Sequence, residues 1–425
     1  MAYAYTPFPY VAAPGLSAPE PRHKVVIVGA GPIGLAMAIE LANHGVQATV
    51  LDDNNVVSVG SRAICWSKRS LEILDRLGVG ERSVTKGVTW KVGRTFHRDK
   101  EVFNFDLLPE DGHKMPAFVN LQQYFVEEYL VERAIELGIN LRWKNRVVSV
   151  EQAADSATVT IETPDGRYSL EADWVIACDG ARSPVRGMLG LDFDGELFEE
   201  RFLIADIEMQ GDFASERWFW FEPTFHAGQS ALLHKQPDNI YRIDLQLGWD
   251  TDPEEEKKPE KVIPRIQKVV GHNDFKLDWV SVYTFQCRRL RSFVHNRVLF
   301  VGDSAHIVSP FGARGGNGGL GGTVSGNGGN GGAAADGGAG IDGTEFSPDG
   351  GVGGNGGLAG GGGAGGSGAT GGTSGTASIG GNGGTGGKGW TSTVAGKAGG
   401  KGGDGGEGQA TTTGVAGNGG AGGAG

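Results

Sequence analysis

The sequence predicts an α/β protein: a doubly wound domain with an inserted β-sheet domain, followed by a glycine-rich low-complexity tail. Three observations support this prediction. A β-branched strand runs through Gly29–Gly34 into a helix, and period-2 strands fill much of residues 87–284. In addition, 53 of the 76 glycines fall in residues 315–425. A strand, a glycine turn and a helix form the first unit of many doubly wound sheets. The glycine content of residues 315–425 is far above that of an ordinary globular domain.

Composition and charge exclude several classes of protein. The net charge is −12, and no basic stripe is visible, so we expect no nucleic-acid partner. No apolar run reaches the ~18–20 residues that a membrane span needs. The three cysteines, Cys65, Cys178 and Cys287, are far apart, which indicates reduced thiols and a cytoplasmic location. Residues 1–22 contain five prolines, lack the features of a signal peptide, and are predicted to be a disordered lead.

The first βαβ unit carries a dinucleotide-binding pattern. Residues 24–29 form a strand that ends on the turn Gly29-Ala-Gly31-Pro-Ile-Gly34, and a second strand ends on Asp52. In such a unit the first glycine makes the tight turn and the second lets backbone approach a pyrophosphate. The third lets the helix pack on the strand, and the acid accepts hydrogen bonds from a ribose. The strand, helix, second strand and acid together predict a dinucleotide site.

Two further strands end on an aspartate beside a glycine. Residues 174–177 precede Asp179-Gly180, and residues 298–301 precede Gly302-Asp303. Open α/β sheets bind ligands outside the carboxyl ends of their strands, so each ending is a candidate ligand contact. The order and spacing of the three strand ends are more informative than any one motif.

The strands of residues 87–118 and 190–284 predict a separate sheet. Its run Trp218-Phe-Trp-Phe221 is a candidate either for an aromatic pocket or for the core, and both alternatives stay open. The charge run at residues 250–261 predicts a solvated loop before a helix at 262–270. Lone histidines and tyrosines on strands are more often structural than catalytic, which here concerns His226, His234 and Tyr241.

This series of motifs resembles the FAD-dependent aromatic hydroxylases with the para-hydroxybenzoate hydroxylase fold, the group A flavoprotein monooxygenases, over about residues 23–317. The resemblance implies an FAD-binding, Rossmann-like domain at 23–86, 119–189 and 285–317, and a substrate domain at 87–118 and 190–284. It further implies that NAD(P)H, FAD and O₂ are used to hydroxylate a phenolic or other aromatic ring through a flavin hydroperoxide. We expect no metal site and assign no catalytic residue.

The resemblance also implies which residues contact the cofactors. Gly29, Gly31 and Gly34 would hold the FAD pyrophosphate and Asp52 the adenosine ribose. The remaining predicted contacts are Arg62, Gln123, Asp179, Gly180, Arg186, Gly302, Asp303, Pro310 and Gly312. Among them, the resemblance links Asp179-Gly180 to both FAD and NAD(P)H, and Asp303 to the ribityl chain of FAD. Asp53 stands where the family often has arginine, which would alter the contacts at the adenine.

Residues 318–425 are expected to be a glycine-rich repeat tail of loose Gly-Gly-X triplets. The tail resembles the repeat regions of mycobacterial PGRS surface proteins. At the same position in the chain, the hydroxylases continue into a long helix. We interpret the chain as a fusion whose activity the missing helices would impair. Two alternatives stay open: a structural or surface-interaction protein with a vestigial flavin domain, and an uncoupled NAD(P)H oxidase. The tail is a candidate for weak self-association and for association with the cell surface.

Overall fold

The computed structural model describes residues 3–60, 63–108, 112–211, 213–248 and 250–307, with only the backbone described at 196–200 and 285. The predicted cofactor contacts Arg62, Pro310 and Gly312, and the predicted tail, lie outside these residues. The chain divides into two compact units. The first comprises Met1–Leu189 and Phe198–Phe285, and the second comprises Gly190–Leu197 and Gln286–Gly425.

The described elements alternate between helices and strands at first and are mostly strands later. The strands are β1 (His23–Val28), β2 (Ala48–Leu51), β3 (Cys65–Ser67), β4 (Val88–Trp90), β5 (Val92–His97), β6 (Lys100–Asp106), β7 (Phe118–Asn120), β8 (Asn140–Arg142), β9 (Arg146–Gln152), β10 (Ala157–Thr163), β11 (Gly166–Ala177), β12 (Asp194–Glu208), β13 (Arg217–Phe221), β14 (Ser230–Lys235), β15 (Ile240–Leu247), β16 (Lys276–Arg289), β17 (Val294–His295), β18 (Val298–Phe300) and β19 (His306–Ile307). The helices are α1 (Pro32–Asn43), α2 (Lys68–Arg76), α3 (Gly80–Lys86), α4 (Gln123–Glu136), α5 (Pro184–Met188), α6 (Pro253–Glu256) and α7 (Pro259–Val270).

A parallel sheet organises the first part of the first unit, in the order β11-β1-β2-β8. β1 is parallel to both β2 and β11, and β9 and β10 extend β11 as an antiparallel meander. Helices α1 and α4 pack against each other. Each of α1, α2 and α4 is followed by a glycine with positive φ, as predicted: Gly45, Gly78 and Gly138. These local signals place the ends of β1 and β2 side by side.

A larger, mostly antiparallel sheet follows in the order β16-β12-β15-β14-β13-β5-β6. One of its faces packs on α7 through Val262 and Ile266. β4 does not join this sheet, although it lies in the segment 87–118. It pairs instead with β7 in a small sheet of order β3-β7-β4. The charge run also holds more structure than a loop, because Asp252 caps the short helix α6 by accepting a hydrogen bond from the Glu254 amide.

The N-terminal residues are packed, so the predicted disordered lead is wrong for residues 3–22, which we name the N-terminal strap. The Phe8 amide donates to the Asn55 carbonyl at 2.7 Å, and Asn55 Nδ2 donates back to the Phe8 carbonyl at 2.9 Å. The Phe8 ring stacks on Trp143 with the centroids 4.6 Å apart, and Tyr3 lies 4.2 Å from Tyr124. The aromatic residues between the prolines supply the apolar area that offsets the entropy of ordering the segment.

The described part of the second unit is small and built from short strands. β17 and β18 form an antiparallel pair, and a 3₁₀ turn follows at Gly302–Ser304. β19 then pairs with Arg288 and Arg289 at the end of β16. Gly195 is required in this unit because its φ is +126° and a Cβ would lie 2.2 Å from the Cys287 carbonyl oxygen.

The strap contacts give a first testable prediction. Phe8→Ala should lower the free energy of unfolding by about 1–2 kcal/mol, because a half-buried aromatic stack is lost. Val11→Ala is the matched control on the same strap: Val11 is 71% exposed, and a change of less than about 0.5 kcal/mol is expected. Urea denaturation of both variants measures the difference. Equal stabilities would show that the strap does not pack on Trp143 in solution.

Candidate cofactor site

The turn after β1 can be built only from glycine at two of its three predicted positions. Gly29 has φ +103°, and a Cβ there would lie 2.5 Å from the Cys178 carbonyl oxygen. A Cβ on Gly34 would lie 1.9 Å from the Gly29 carbonyl oxygen. Gly31 differs, because no atom lies within 4 Å of the position its Cβ would take. The turn is therefore closed towards β11 and open at Gly31, which leaves space for a ligand to approach the backbone.

Helix α1 begins directly at this open position. Gly31 is its N-cap, no side chain caps the helix, and its first turn carries no acidic residue. Pro32 occupies the first helical position, where its missing N–H costs nothing. The free amides and the positive end of the dipole at such a helix start favour a phosphate group.

The Asp52 carboxylate is held against the same turn. Its Oδ2 accepts a hydrogen bond from the Ala30 amide at 2.6 Å, and its Oδ1 accepts one from the Asn54 amide at 2.8 Å. Burial raises the pKa of Asp52 to about 6, although both backbone hydrogen bonds favour the charged form. A carboxylate has about four acceptor positions, so Asp52 can still accept hydrogen bonds from the hydroxyls of a ribose.

Gln123 begins α4 and belongs to a buried hydrogen-bond network. Its Nε2 donates to Glu127 Oε1 at 2.6 Å and to Ser58 Oγ at 3.1 Å. Glu127 is 2% exposed, and it also accepts from the Ser58 amide at 2.5 Å and the Ser58 hydroxyl at 2.6 Å. The network therefore fixes the loop that follows Asp52. The roles of Glu127 and Ser58 do not follow from the sequence, in which the i, i+4 spacing from Gln123 is the only local signal for Glu127.

The predicted Asp179-Gly180 pair lies at the end of β11. Asp179 Oδ2 accepts a hydrogen bond from the Val185 amide at 2.9 Å, and burial raises the pKa of its carboxyl. Gly180 has φ +80°, which favours glycine. Arg186 Nη2 donates to the Ala181 carbonyl at 2.8 Å, so the guanidinium contacts its own loop. Asp179 thus shapes the turn into α5.

The second unit contains the predicted Gly302-Asp303 pair. Gly302 has φ +68°, and the Ala305 amide donates to its carbonyl at 2.9 Å. Asp303 lies exposed on this turn. Ser304 ties the turn to β18, since its hydroxyl donates to the Val301 carbonyl at 2.9 Å. The turn thus presents one carboxylate directly after a strand.

The structure brings only part of the predicted set together. In the first unit, Gly29 and Gly34 contact each other and Gly29 lies against Cys178, while Asp52 bonds to the same turn. Gly302 and Asp303 belong to the second unit. All three cysteines are free thiols, as expected. Within the described ranges, no cluster of three or more metal-ligating side chains occurs, and none of the helices has the length and apolarity needed to cross a membrane.

The candidate residues of the larger sheet separate into two faces. Trp218 and Trp220 pack with the core beside α7, whereas Phe219 and Phe221 alternate to the opposite face. The core alternative therefore holds for Trp218 and Trp220, and the pocket alternative stays a prediction for the side that carries Phe219 and Phe221. The lone residues have structural partners: the Tyr241 hydroxyl donates to the Gly211 carbonyl at 2.7 Å, His226 lies 2.6 Å from the Gln246 carbonyl, and His234 is buried near Cys65.

The raised pKa of Asp52 predicts a pH-dependent stability. A carboxyl with a folded-state pKa near 6 and an unfolded value near 3.9 binds more protons when folded, so the wild type should lose stability as pH rises from about 4 to 6. Asp52→Asn removes this titration. Urea denaturation of the flavin-free full chain should therefore show a stability difference between variant and wild type that shifts by about 2 kcal/mol over this range and then stays constant. A difference that does not depend on pH would contradict the burial of this carboxyl, and Val11→Ala should run parallel to the wild type.

The chain matches the protein-family model described as "FAD binding domain" over residues 22–325. It is 29% identical over 307 residues to a flavin-dependent monooxygenase of Mycobacteroides abscessus, covering 68% of this chain and 63% of the relative. It is 31% identical over 317 residues to 12-dehydrotetracycline 5-monooxygenase/anhydrotetracycline 6-monooxygenase of Streptomyces rimosus, covering 69% of this chain and 59% of the relative. The match to para-nitrophenol 4-monooxygenase of a Pseudomonas species is 30% identical over 306 residues and covers 68% of this chain and 73% of that protein.

A solved structure agrees with these sequence matches. The crystal structure of p-nitrophenol 4-monooxygenase PnpA from Pseudomonas putida superposes with a TM-score of 0.62 at 27% identity, covering 69% of this chain and 75% of that chain. The chain thus spans about three fifths of the length of the first two relatives. Because the family model covers well over half of the chain, the chain belongs to the FAD-binding-domain family, and FAD is its cofactor.

Proposed function

We propose that the chain is an FAD- and NAD(P)H-dependent monooxygenase that hydroxylates a phenolic or other aromatic ring. The observation that carries this proposal is the glycine turn after β1, which is closed to any side chain at Gly29 and Gly34 and open at Gly31. Membership of the FAD-binding-domain family supports it, as do the names of the relatives, which include monooxygenases of para-nitrophenol and of anhydrotetracycline.

The residues of the first unit fit FAD. The amides at the start of α1 would bind the pyrophosphate, and Asp52 would accept hydrogen bonds from the adenosine ribose. Gln123 starts α4 beside the loop that Glu127 and Ser58 hold. When bound, FAD supplies the electron transfer from NAD(P)H to O₂ that ring hydroxylation requires. The protein contributes the binding, orientation and exclusion of water.

Residues 302–312 and the glycine-rich sequence after residue 317 are relevant to whether the chain hydroxylates a ring. Asp303 would contact the ribityl chain of FAD, and Gly302, Pro310 and Gly312 stay predicted contacts of the cofactor. The glycine-rich sequence after residue 317 motivates the alternative that the chain binds FAD but oxidises NAD(P)H without hydroxylating a ring. A cytoplasmic location is part of the proposal, and the free thiols agree with it.

Purification of the full chain tests the proposed function. The protein should carry flavin absorbance, and its NAD(P)H oxidation should rise when a phenol such as para-nitrophenol is added, with hydroxylated product formed. A yellow protein whose NAD(P)H oxidation yields only hydrogen peroxide would support the oxidase alternative. A colourless protein that does not bind added FAD would overturn both and favour a vestigial flavin domain.

Gly34→Ala tests the glycine turn itself. The new Cβ would overlap the Gly29 carbonyl oxygen, so the turn must shift, and FAD binding should weaken at least about tenfold. Gly187→Ala is the matched control, because nothing lies within 4 Å of the Cβ position there. Fluorescence titration with FAD and thermal unfolding measure both variants. Unchanged FAD affinity in Gly34→Ala would exclude this turn as the pyrophosphate site.

A further inference from the structure

The N-terminal strap bonds at two points to the irregular segment that follows β2. We name this segment, residues 52–60, the β2 loop. The Phe8 amide donates to the Asn55 carbonyl at 2.7 Å, and Asn55 Nδ2 donates to the Phe8 carbonyl at 2.9 Å. At the far end of the loop, the Gly60 amide donates to the Tyr5 hydroxyl at 2.9 Å. The strap therefore holds the β2 loop near its start and at its end.

Asp52, the first residue of the β2 loop, is held from a second direction by residues 142–145, which we name the β8 end. The Asp52 amide donates to the Arg142 carbonyl at 3.0 Å, and the Asn145 amide donates to the Asp52 carbonyl at 2.7 Å. Both backbone polar groups of Asp52 are thus bonded to the β8 end. The place of the Asp52 carboxylate therefore depends on where the β8 end lies.

The strap also holds the β8 end. The Glu20 carboxylate accepts hydrogen bonds from two nitrogens of the Arg142 guanidinium at 2.8 and 2.7 Å, and the two side chains are 10% and 6% exposed. The hydrogen bonds from Arg142 lower the pKa of Glu20, so the carboxylate stays charged. Phe8 stacks on Trp143 as well as bonding to the β2 loop, so one strap residue joins the two segments.

The β2 loop buries little of its own surface. It contains no helix or strand, and of its residues only Val57 and Gly60 are buried. The bonds between Ser58 and Glu127 fix the middle of the loop, so the strap supplies contacts at its start and end. Segments with little buried apolar area open at a low cost in free energy. A ligand binds more weakly in proportion when the conformation that it needs is only partly populated.

We propose that the N-terminal strap is a positioning element for FAD, which keeps the β2 loop and Asp52 in the conformation that accepts the ribose. Strap closure and FAD binding then stabilise each other, since the coupling between two equilibria is reciprocal. The inference rests on the proposed FAD contacts at Asp52 and the glycine turn, and it holds whether or not the chain hydroxylates a ring. Residues 3–21 precede the part of the chain that matches the family model, so the strap is an addition to the matched domain.

Fluorescence titration of the full chain with FAD tests the positioning role. Phe8→Ala should weaken FAD binding by about five- to 20-fold, because the stack that anchors the strap to the β8 end is lost. Tyr5→Phe keeps the ring but removes the acceptor of the Gly60 amide, and a weakening of about two- to fivefold is expected. Tyr10→Ala is the matched control on the same strap. The Tyr10 hydroxyl bonds to Asp165 between β10 and β11, and this variant should change the affinity less than about twofold.

Circular dichroism and thermal unfolding check that each variant is folded at the temperature of the titration. A strap with a purely structural role would lose stability in Phe8→Ala without any change in the FAD affinity of the folded protein. Equal FAD affinities for Phe8→Ala, Tyr10→Ala and the wild type would therefore overturn the inference.

Limited proteolysis of the full chain, with and without FAD, tests the reciprocal effect. Chymotrypsin cuts after tyrosine, and mass spectrometry follows the cuts after Tyr3 and Tyr5. Saturating FAD should slow these cuts at least about fivefold in the wild type. Gly34→Ala, at an FAD concentration that saturates only the wild type, should gain no such protection.

The outcomes separate this inference from the proposed function. Cuts in the strap that bound FAD does not slow would overturn the inference and leave FAD binding standing. A chain that binds no FAD would overturn both. A chain that shows both strap effects but forms only hydrogen peroxide from NAD(P)H and O₂ would support the inference and refute ring hydroxylation alone.

Discussion

The close approach of three stretches of backbone at the end of β1 is the contact on which the first unit depends. Gly29 lies against the Cys178 carbonyl, and Gly34 lies against the Gly29 carbonyl. This contact joins β1, α1 and β11 so tightly that any side chain would force them apart. The position of Asp52 follows from it, because its carboxylate bonds to the amide of the turn residue Ala30. The proposed phosphate-binding helix start and the proposed ribose-binding acid are thus fixed by one packing constraint.

Much of this site follows from sequence because its signals are local. The glycines of the turn, the acid ending β2 and the glycines that end helices each reflect a backbone requirement within a few residues. The buried contacts of Glu127 and Ser58 do not follow, since those residues are 69 positions apart and meet only when α4 packs on the sheet. The N-terminal strap was missed for the same reason: its proline content indicates disorder, but the residue that stacks on Phe8 is Trp143.

The strand β13 of the larger sheet carries different residues on its two faces. Trp218 and Trp220 pack towards α7, whereas Arg217 and Phe219 face the other way. From sequence, the run of aromatic residues gives no means to decide which side is the core, because both sets alternate with period 2. The core lies on the side of the sheet that helix α7 covers. The opposite side carries Arg217, His234 and the Arg242–Asp206 ion pair, so these polar residues and the two tryptophans lie on different faces of the sheet.

The N-terminal strap has a practical consequence for work on related chains. The family match begins at residue 22, whereas the aromatic contacts that cover Trp143 and Tyr124 come from residues 3–8. Expression of the matched domain alone would therefore uncover two large aromatic side chains next to the loop after β2. Exposed aromatic surface favours association between copies, so such a shortened protein would be prone to aggregation for a reason unrelated to its cofactor. Domain boundaries taken from a family match would here divide a folded unit.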